Sequence, residues 1–281
     1  MSDTPLASIV IPTCRRPEFI TRCLARLAMG EQTAPFASYE VIVVDDDPGR
    51  SSLGPLRKDF RWVQIAYGPM KGPSAARNTG VALARAPLII FVDDDCVPSR
   101  TFVEGYLSAA EKSPFMNGPT TCEAGCKDPF ETAPINPLGE YAFSCNFACD
   151  RKFFDALGGF DEKFLFYGFE DYDLFYRAKL SGVTPLFVPL AAVDHPPRQL
   201  APVMKRVLTL ENYFRYQLKH DFSPQRSDVM RSWLADWRKR ISLKVPFARR
   251  MQAVGSFVAE MLLGTLLHDR LLRKAEQSLR S

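Results

Sequence analysis

Apolar residues in this chain alternate between short unbroken runs and longer periodic stretches. Ser8 to Pro12 is a brief apolar run that Pro12 is expected to stop. From Glu18 to Met29, Phe19, Ile20, Cys23, Leu24 and Leu27 recur at helical spacing. Glu40 to Val44, Arg61 to Ala66 and Leu88 to Val92 read as three further strands. Between the last two, Gly72-Pro73-Ser74 opens a predicted helix reaching about Ala86, with the proline suited to a first turn. Strands rich in Val and Ile, separated by helices, predict a parallel sheet with right-handed crossovers and strands buried on both faces.

The pattern changes between Ser113 and Pro137, where five prolines and two glycines predict an irregular surface excursion. Such loops often carry specificity. Regular structure is expected again at Glu140 to Ala148, followed by a helix at Arg151 to Leu157, a Gly158-Gly159 turn and a helix from Glu170 to Ser181 that Gly182 ends. Thr184 to Val188 reads as a last strand before the boundary at Pro196-Pro197. Beyond it, Val203 to Leu279 is expected to be mostly helical, with Met204, Val207, Leu208, Leu210 and Tyr213 on one apolar side. Ala253 to Leu267, interrupted by Glu260, falls short of the roughly 20 residues of a bilayer span and reads as a buried or interfacial helix. The expected division is residues 1–198, made of halves 1–95 and 96–198, and a basic helical region 199–281.

Two of the strands end in three aspartates, Asp45-Asp46-Asp47 and Asp93-Asp94-Asp95. In an open parallel sheet ligands bind beyond the carboxyl ends of the strands, so both triplets are expected at one crevice. Asp93 and Asp95 can face one ligand, and hard oxygen donors favour Mg2+ or Mn2+ with phosphates completing the shell. Asp45 and Asp46 precede an Asp47-Pro48-Gly49 turn, and a strand-end carboxylate can accept from a base N–H, with Asp46 the better candidate. Arg77, about one turn into the helix after Pro73, can reach a phosphate or the aspartates. The first 95 residues thus read as a nucleotide-binding half.

Charge divides the chain: from Leu200 onward 16 Lys+Arg face 7 Asp+Glu, against 20 and 25 before it. A basic tail without an aromatic stacking platform argues against nucleic acid and leaves a solvated helical face or a peripheral contact with anionic membrane. Met1 to Leu6 lacks signal-peptide character, so a cytoplasmic address is expected, extending to the cytosolic face of a membrane. Seven scattered cysteines suit reduced thiols, and the Cys122/Cys126 and Cys145/Cys149 pairs are poor zinc spacings.

The ordered series Ser8-Ile9-Val10-Ile11-Pro12-Thr13, Val43-Val44-Asp45-Asp46, Ala76-Arg77-Asn78-Thr79-Gly80, Phe91-Val92-Asp93-Asp94-Asp95, Gly158-Gly159-Phe160-Asp161-Glu162 and Glu170-Asp171-Tyr172-Asp173-Leu174 resembles family 2 glycosyltransferases. That resemblance covers roughly the first 195 residues and implies an α/β GT-A fold, a mixed sheet flanked by helices, here with a helical C-terminal appendage. It implies a nucleotide-sugar donor, UDP favoured, and inverting transfer of one sugar to a glycan or lipid-linked glycan, as in cell-envelope polysaccharide synthesis.

By resemblance, Thr13 and Asp46 meet the nucleobase and Asp93 the ribose, with Pro12, Arg15, Asp45, Arg77 and Asp94 also at the donor nucleotide. Asp95 then meets the metal-bound diphosphate, Asp93 to Asp95 forming the DXD motif. Asp171 becomes the general base, with Glu170 the fallback, and His195 a third metal ligand beside Asp93 and Asp95. A partly desolvated Asp171 would suit that task, with Phe166, Tyr167, Phe169 and Tyr172 as the desolvating aromatics or a platform under a sugar ring. Arg15 stands where the family often places an aromatic on the base, and a guanidinium can also stack. The absence of multiple spans argues against processive synthesis. Two other readings are a nucleotidyltransferase acting on a sugar phosphate and a non-catalytic nucleotide-sugar-binding scaffold.

Overall fold

The computed structural model describes residues 4–49, 53–141, 143–165 and 168–280. In chain order its elements begin β1 (Ala7–Thr13), α1 (Pro17–Ala25), β2 (Tyr39–Asp45), α2 (Leu53–Asp59), β3 (Gln64–Tyr67), α3 (Pro73–Leu83), β4 (Leu88–Val92), β5 (Val97–Pro98) and α4 (Phe102–Ala109). They continue with β6 (Phe115–Asn117), β7 (Thr120–Thr121), β8 (Glu131–Thr132), β9 (Asn146–Asp150), α5 (Arg151–Ala156), α6 (Glu170–Leu180), β10 (Leu186–Phe187) and β11 (Val193–Asp194). The chain ends in β12 (Arg198–Gln199), α7 (Val203–Leu208), α8 (Leu210–Lys219), α9 (Arg226–Ile241) and α10 (Phe247–Arg280). Two compact units result: one drawn from 1–123, 134–165 and 170–196, the other from 124–133, 166–169 and 197–281.

The first unit is built on a seven-stranded sheet in the order β10-β6-β9-β4-β1-β2-β3. β1, β2, β3 and β4 pair in parallel, whereas β9 runs antiparallel to both β4 and β6. Period-two alternation sends Ile9, Ile11, Val41, Val43 and Ile90 to one face with Ile20 and Leu24 of α1 and Tyr106 of α4. Val10, Ile42, Val44 and Phe91 go to the other with Ala76 of α3, Phe154 of α5 and Leu174 of α6. Both faces are covered, which is why these runs show no polar alternation.

The structure moves several expected boundaries. β1 continues through Pro12 to Thr13: its ladder to β4 ends at Val10–Phe91 while that to β2 continues to Thr13–Asp45, so the proline's missing donor is tolerated. α1 stops at Ala25, four residues short of Met29. Within the proline-rich segment, Phe115–Asn117 is not surface loop but a buried inner strand of the main sheet.

β7 and β11 pair in a small second sheet with β5, and the Thr121 carbonyl accepts from the His195 N–H at 2.8 Å. Gly118 makes this approach possible. A Cβ there would run into the Ala191 carbonyl oxygen and lie 2.9 Å from Asn146 Nδ2, which donates to Pro119 and Ala191. Gly118→Ala is expected to cost about 3 kcal/mol, the upper end for overpacking because the obstructing atom is backbone, read as a lower urea midpoint with unchanged slope.

The second unit contains α7 to α10 and the β8–β12 pair. Val207, Leu210, Phe214, Val229, Leu271 and Ala275 form its core. Met204, expected on that side, is exposed instead. Glu260, which interrupts the apolar stretch, is buried and accepts from Arg206 and Trp237, each at 2.8 Å. Along α10, Phe247, Met251, Val258, Leu262 and Leu266 are exposed, and no described helix is long and apolar enough to cross a membrane.

Candidate active site

Parallel pairing brings the carboxyl ends of β1, β2 and β4 to one edge of the sheet. At the end of β4, Asp94 is fully buried; it accepts from the Thr13 hydroxyl at 2.7 Å and pairs with Arg16 at 2.8 Å. Burial pushes its carboxyl up to about 7, with Arg16 pulling the other way. Asp95 pairs with Arg16 at 2.9 Å through Oδ2, and its Oδ1 lies 3.1 Å from His195 Nε2. His195 Nδ1 is 2.9 Å from the Pro196 carbonyl, which can only accept, so Nδ1 carries a proton, and Nε2 faces Asp95. A protonated ring makes this contact an ion pair, while a carboxylate with a neutral imidazole is a donor set suited to Mn2+. The Cys96 sulfur lies close by, but burial raises its thiol well above the ordinary value and it is directed at the Cys145 carbonyl.

At the end of β2 the roles divide. Asp46 accepts from the backbone N–H of Met70 at 2.6 Å and of Gly72 at 2.8 Å, so its carboxylate clamps the loop leading into α3. That loop turns through left-handed Met70 (φ 60°) and Gly72 (φ 94°), and a Cβ on Gly72 would meet the Leu165 carbonyl oxygen at 2.5 Å. Asp47 accepts from Arg15 at 2.8 Å and from the Gly49 N–H at 3.1 Å. Asp45 accepts from the Asp47 N–H through Oδ1, while its buried Oδ2 has no hydrogen-bond partner among the described residues; burial raises its carboxyl. The sequence places the base contact on Asp46, whose oxygens both hold the loop; the uncommitted oxygen at this strand end belongs to Asp45.

Arg77 of α3 links the two acidic clusters. It is buried, donates to Asp93 at 2.6 Å and to Glu170 at 3.3 Å, and lies over the Phe160 ring at 5.3 Å. Burial opposes its charge, but Asp93 and Glu170 outweigh that and hold its pKa above the ordinary arginine value. Buried Glu170 is pushed up to about 7, by desolvation first and by neighbouring Asp171 second. Asp171 is half-buried at the start of α6 and accepts from the Ser144 N–H at 3.2 Å; burial raises it too. Asn78 ties the following turn, donating to the Phe160 carbonyl at 2.9 Å and accepting its N–H at 3.0 Å.

Of the aromatics expected near Asp171, Phe166 and Tyr167 lie outside the described residues. Tyr172 packs near Tyr141, which stacks on Phe143. Tyr141 and Tyr172 are exposed. Sequence reasoning overlooked Arg16 and Tyr141; the only signal for Arg16 was a second arginine directly before a helix-starting proline.

The sequence model of the family described as Glycosyl transferase family 2 matches residues 8–172, more than half of the chain. The chain belongs to this family. A second description, N-terminal domain of galactosyltransferase, matches residues 135–216. Among family 2 relatives, the glycosyltransferase AglE of Haloferax volcanii is 32% identical over 111 residues, covering 37% of this chain and 34% of that protein. Validoxylamine A glucosyltransferase of Streptomyces hygroscopicus subsp. jinggangensis is 26% identical over 230 residues, covering 65% of this chain and 53% of that protein. The chain thus spans from a third to about half the length of these curated relatives. The fold resembles GalNAc-T7, crystallised with UDP, GalNAc and Mn2+, at a TM-score of 0.56 and 19% identity over 77% of this chain and 48% of that one. Seven strands flanked by helices make this family 2 unit a GT-A fold.

Proposed function

We propose that this family 2 protein is an inverting, metal-dependent glycosyltransferase that moves one sugar from a nucleoside-diphosphate sugar, UDP favoured, to a hydroxyl of a glycan or lipid-linked glycan. The observation that carries the reading is the Arg77 bridge, which holds Asp93 at the end of β4 and Glu170, next to Asp171, in one constellation. The UDP and Mn2+ crystallised with GalNAc-T7 support the choice of nucleotide and ion.

In the mechanism, Asp171 accepts the proton of the acceptor hydroxyl as that oxygen bonds to the anomeric carbon and the bond to the departing nucleoside diphosphate breaks. Asp95 and His195 would hold the Mn2+ or Mg2+ ion, which neutralises charge growing on the leaving group. Asp45 is assigned to the base, with Thr13 beside it and Asp46 holding the loop into α3, and Asp93 to the ribose. Exposed Tyr141 and Tyr172 offer a platform for a sugar ring beside Asp171.

Thermal unfolding against UDP, GDP and TDP, each with Mn2+ or EDTA, tests this reading. A Mn2+-dependent rise with one of them is expected; no rise with any would sink it. Asp95→Ala is expected to abolish the Mn2+-dependent part of that rise, and an unchanged cation dependence would remove Asp95 from the metal site. Pyrophosphate release from a nucleoside triphosphate would favour a nucleotidyltransferase instead.

For the C-terminal region we propose peripheral contact with anionic membrane, supported by its excess of cations and the exposed apolar line on α10. Leu262→Asp should then weaken cosedimentation with phosphatidylserine vesicles. Binding insensitive to both salt and this change would remove the membrane role.

A further inference from the structure

Arg15 and Arg16 occupy a constrained turn between β1 and α1. Arg15 is left-handed (φ 56°), and Arg16, which precedes Pro17, is kept out of the helical region (φ −132°, ψ 59°). The turn serves both aspartate triplets: Arg15 reaches Asp47, while Arg16 places one guanidinium nitrogen 2.8 Å from Asp94 Oδ1 and another 2.9 Å from Asp95 Oδ2.

The two ends of that fork differ. Asp94 is fully buried and also held by Thr13, so it is a fixed anchor. Asp95 is the carboxylate that faces His195 and is assigned to the cation. The Arg16 side chain itself remains 39% exposed, which leaves it room to change partner. The left-handed backbone at Arg15 sets the direction in which Arg16 leaves the strand end, and such conformations cluster at functional sites.

We propose that Arg16 is a positioning residue that competes with the divalent cation for Asp95, and that the donor's diphosphate resolves the competition by offering Arg16 another anion. This deepens the glycosyltransferase reading and rests on it. With one nitrogen kept on Asp94, the other turns from Asp95 to a phosphate oxygen, for which a guanidinium fork is well shaped. Cation and nucleoside diphosphate then load together, because each relieves a cost the other meets alone. Coupling of this kind is reciprocal: the factor by which Mn2+ tightens the nucleotide equals the factor by which the nucleotide tightens Mn2+.

The test is titration of Mn2+ into the full chain, with free Mn2+ read by electron paramagnetic resonance, for the wild type, Arg16→Gln and Arg16→Gln/Asp95→Asn, each without and with UDP. Without nucleotide, Arg16→Gln is expected to bind Mn2+ about tenfold tighter than the wild type, and to lose most of a wild-type coupling factor of about tenfold or more. The gain should vanish in Arg16→Gln/Asp95→Asn. Arg16→Lys, which keeps the charge but loses the fork, should keep weak Mn2+ binding and lose coupling, and covers the case in which Arg16→Gln fails to fold.

Mn2+ binding by Arg16→Gln that is equal to or weaker than wild type would overturn the proposal, because Arg16 would then support the site rather than compete for it. A gain that survives removal of Asp95 would overturn it as well, by placing the ion elsewhere. If the wild type binds neither Mn2+ nor UDP, the functional reading itself falls, an outcome separate from either of these.

Discussion

Asp171→Asn is expected to bind UDP with Mn2+ as the wild type does and to transfer sugar about 10²- to 10⁴-fold more slowly, the range for loss of a positioned general base. The substitution preserves shape, and Asn can still accept from the Ser144 N–H, so a folding defect is not expected to account for the loss. Single-turnover transfer beside equilibrium nucleotide binding separates the two effects. Unchanged transfer would refute the role of Asp171, and equal loss of binding and rate would make it a structural residue.

The pH profile gives a second check. Asp171 acts as the carboxylate and burial raises its pKa, so activity should fall as pH drops, with the acid limb above an ordinary aspartate's 3.8. Glu170, at about 7, titrates beside it, so the limb reports the pair rather than either residue alone.

Arg77→Met is expected to show the largest stability effect, about 3 to 5 kcal/mol, because removing one partner of a buried ion pair strands the others. Methionine fills much of the arginine stem's volume, so the loss is chiefly electrostatic. It should depend on pH in a defined direction. Glu170 already binds its proton more tightly in the fold than at its reference value of 4.5, so its contribution is present below 4.5 and is lost as pH rises through about 7. Without Arg77 that preference for the protonated form grows, and the deficit of the variant should be larger at pH 8 than at pH 5. Urea unfolding of both proteins across that interval measures it, and a deficit constant with pH would show that Arg77 acts through packing on Phe160 instead.

What was legible in the sequence was local and repetitive. β1, β2 and β4 announce themselves because strands covered on both faces are written almost wholly in Val, Ile and Leu, and a triplet of aspartates marks where two of them stop. β6 is only Phe-Met-Asn between two prolines, too short and too poor in β-branched residues to register, and its burial comes from pairing with β9 thirty residues later. The ends of the chemistry were harder to read than its centre. Asp46 clamps a loop through the backbone of Met70 and Gly72, a relation set by two left-handed residues rather than by any side-chain pattern. Arg16 was hidden for a similar reason: its partners lie about eighty positions away, and only the turn at Arg15 aims it at them.

The antiparallel insertion of β9 beside β4 bears on how the protein is made. Leu88 to Val92, the strand that leads into the aspartates assigned to the metal, pairs along its whole length with Asn146 to Asp150. Until the ribosome has released residue 150, that edge is a bare apolar ribbon with unpaired peptide groups, the kind of surface on which nascent chains cross-pair. The first 95 residues thus end on an open sheet edge, and a nascent chain that stalls before β9 is the form most in need of a chaperone.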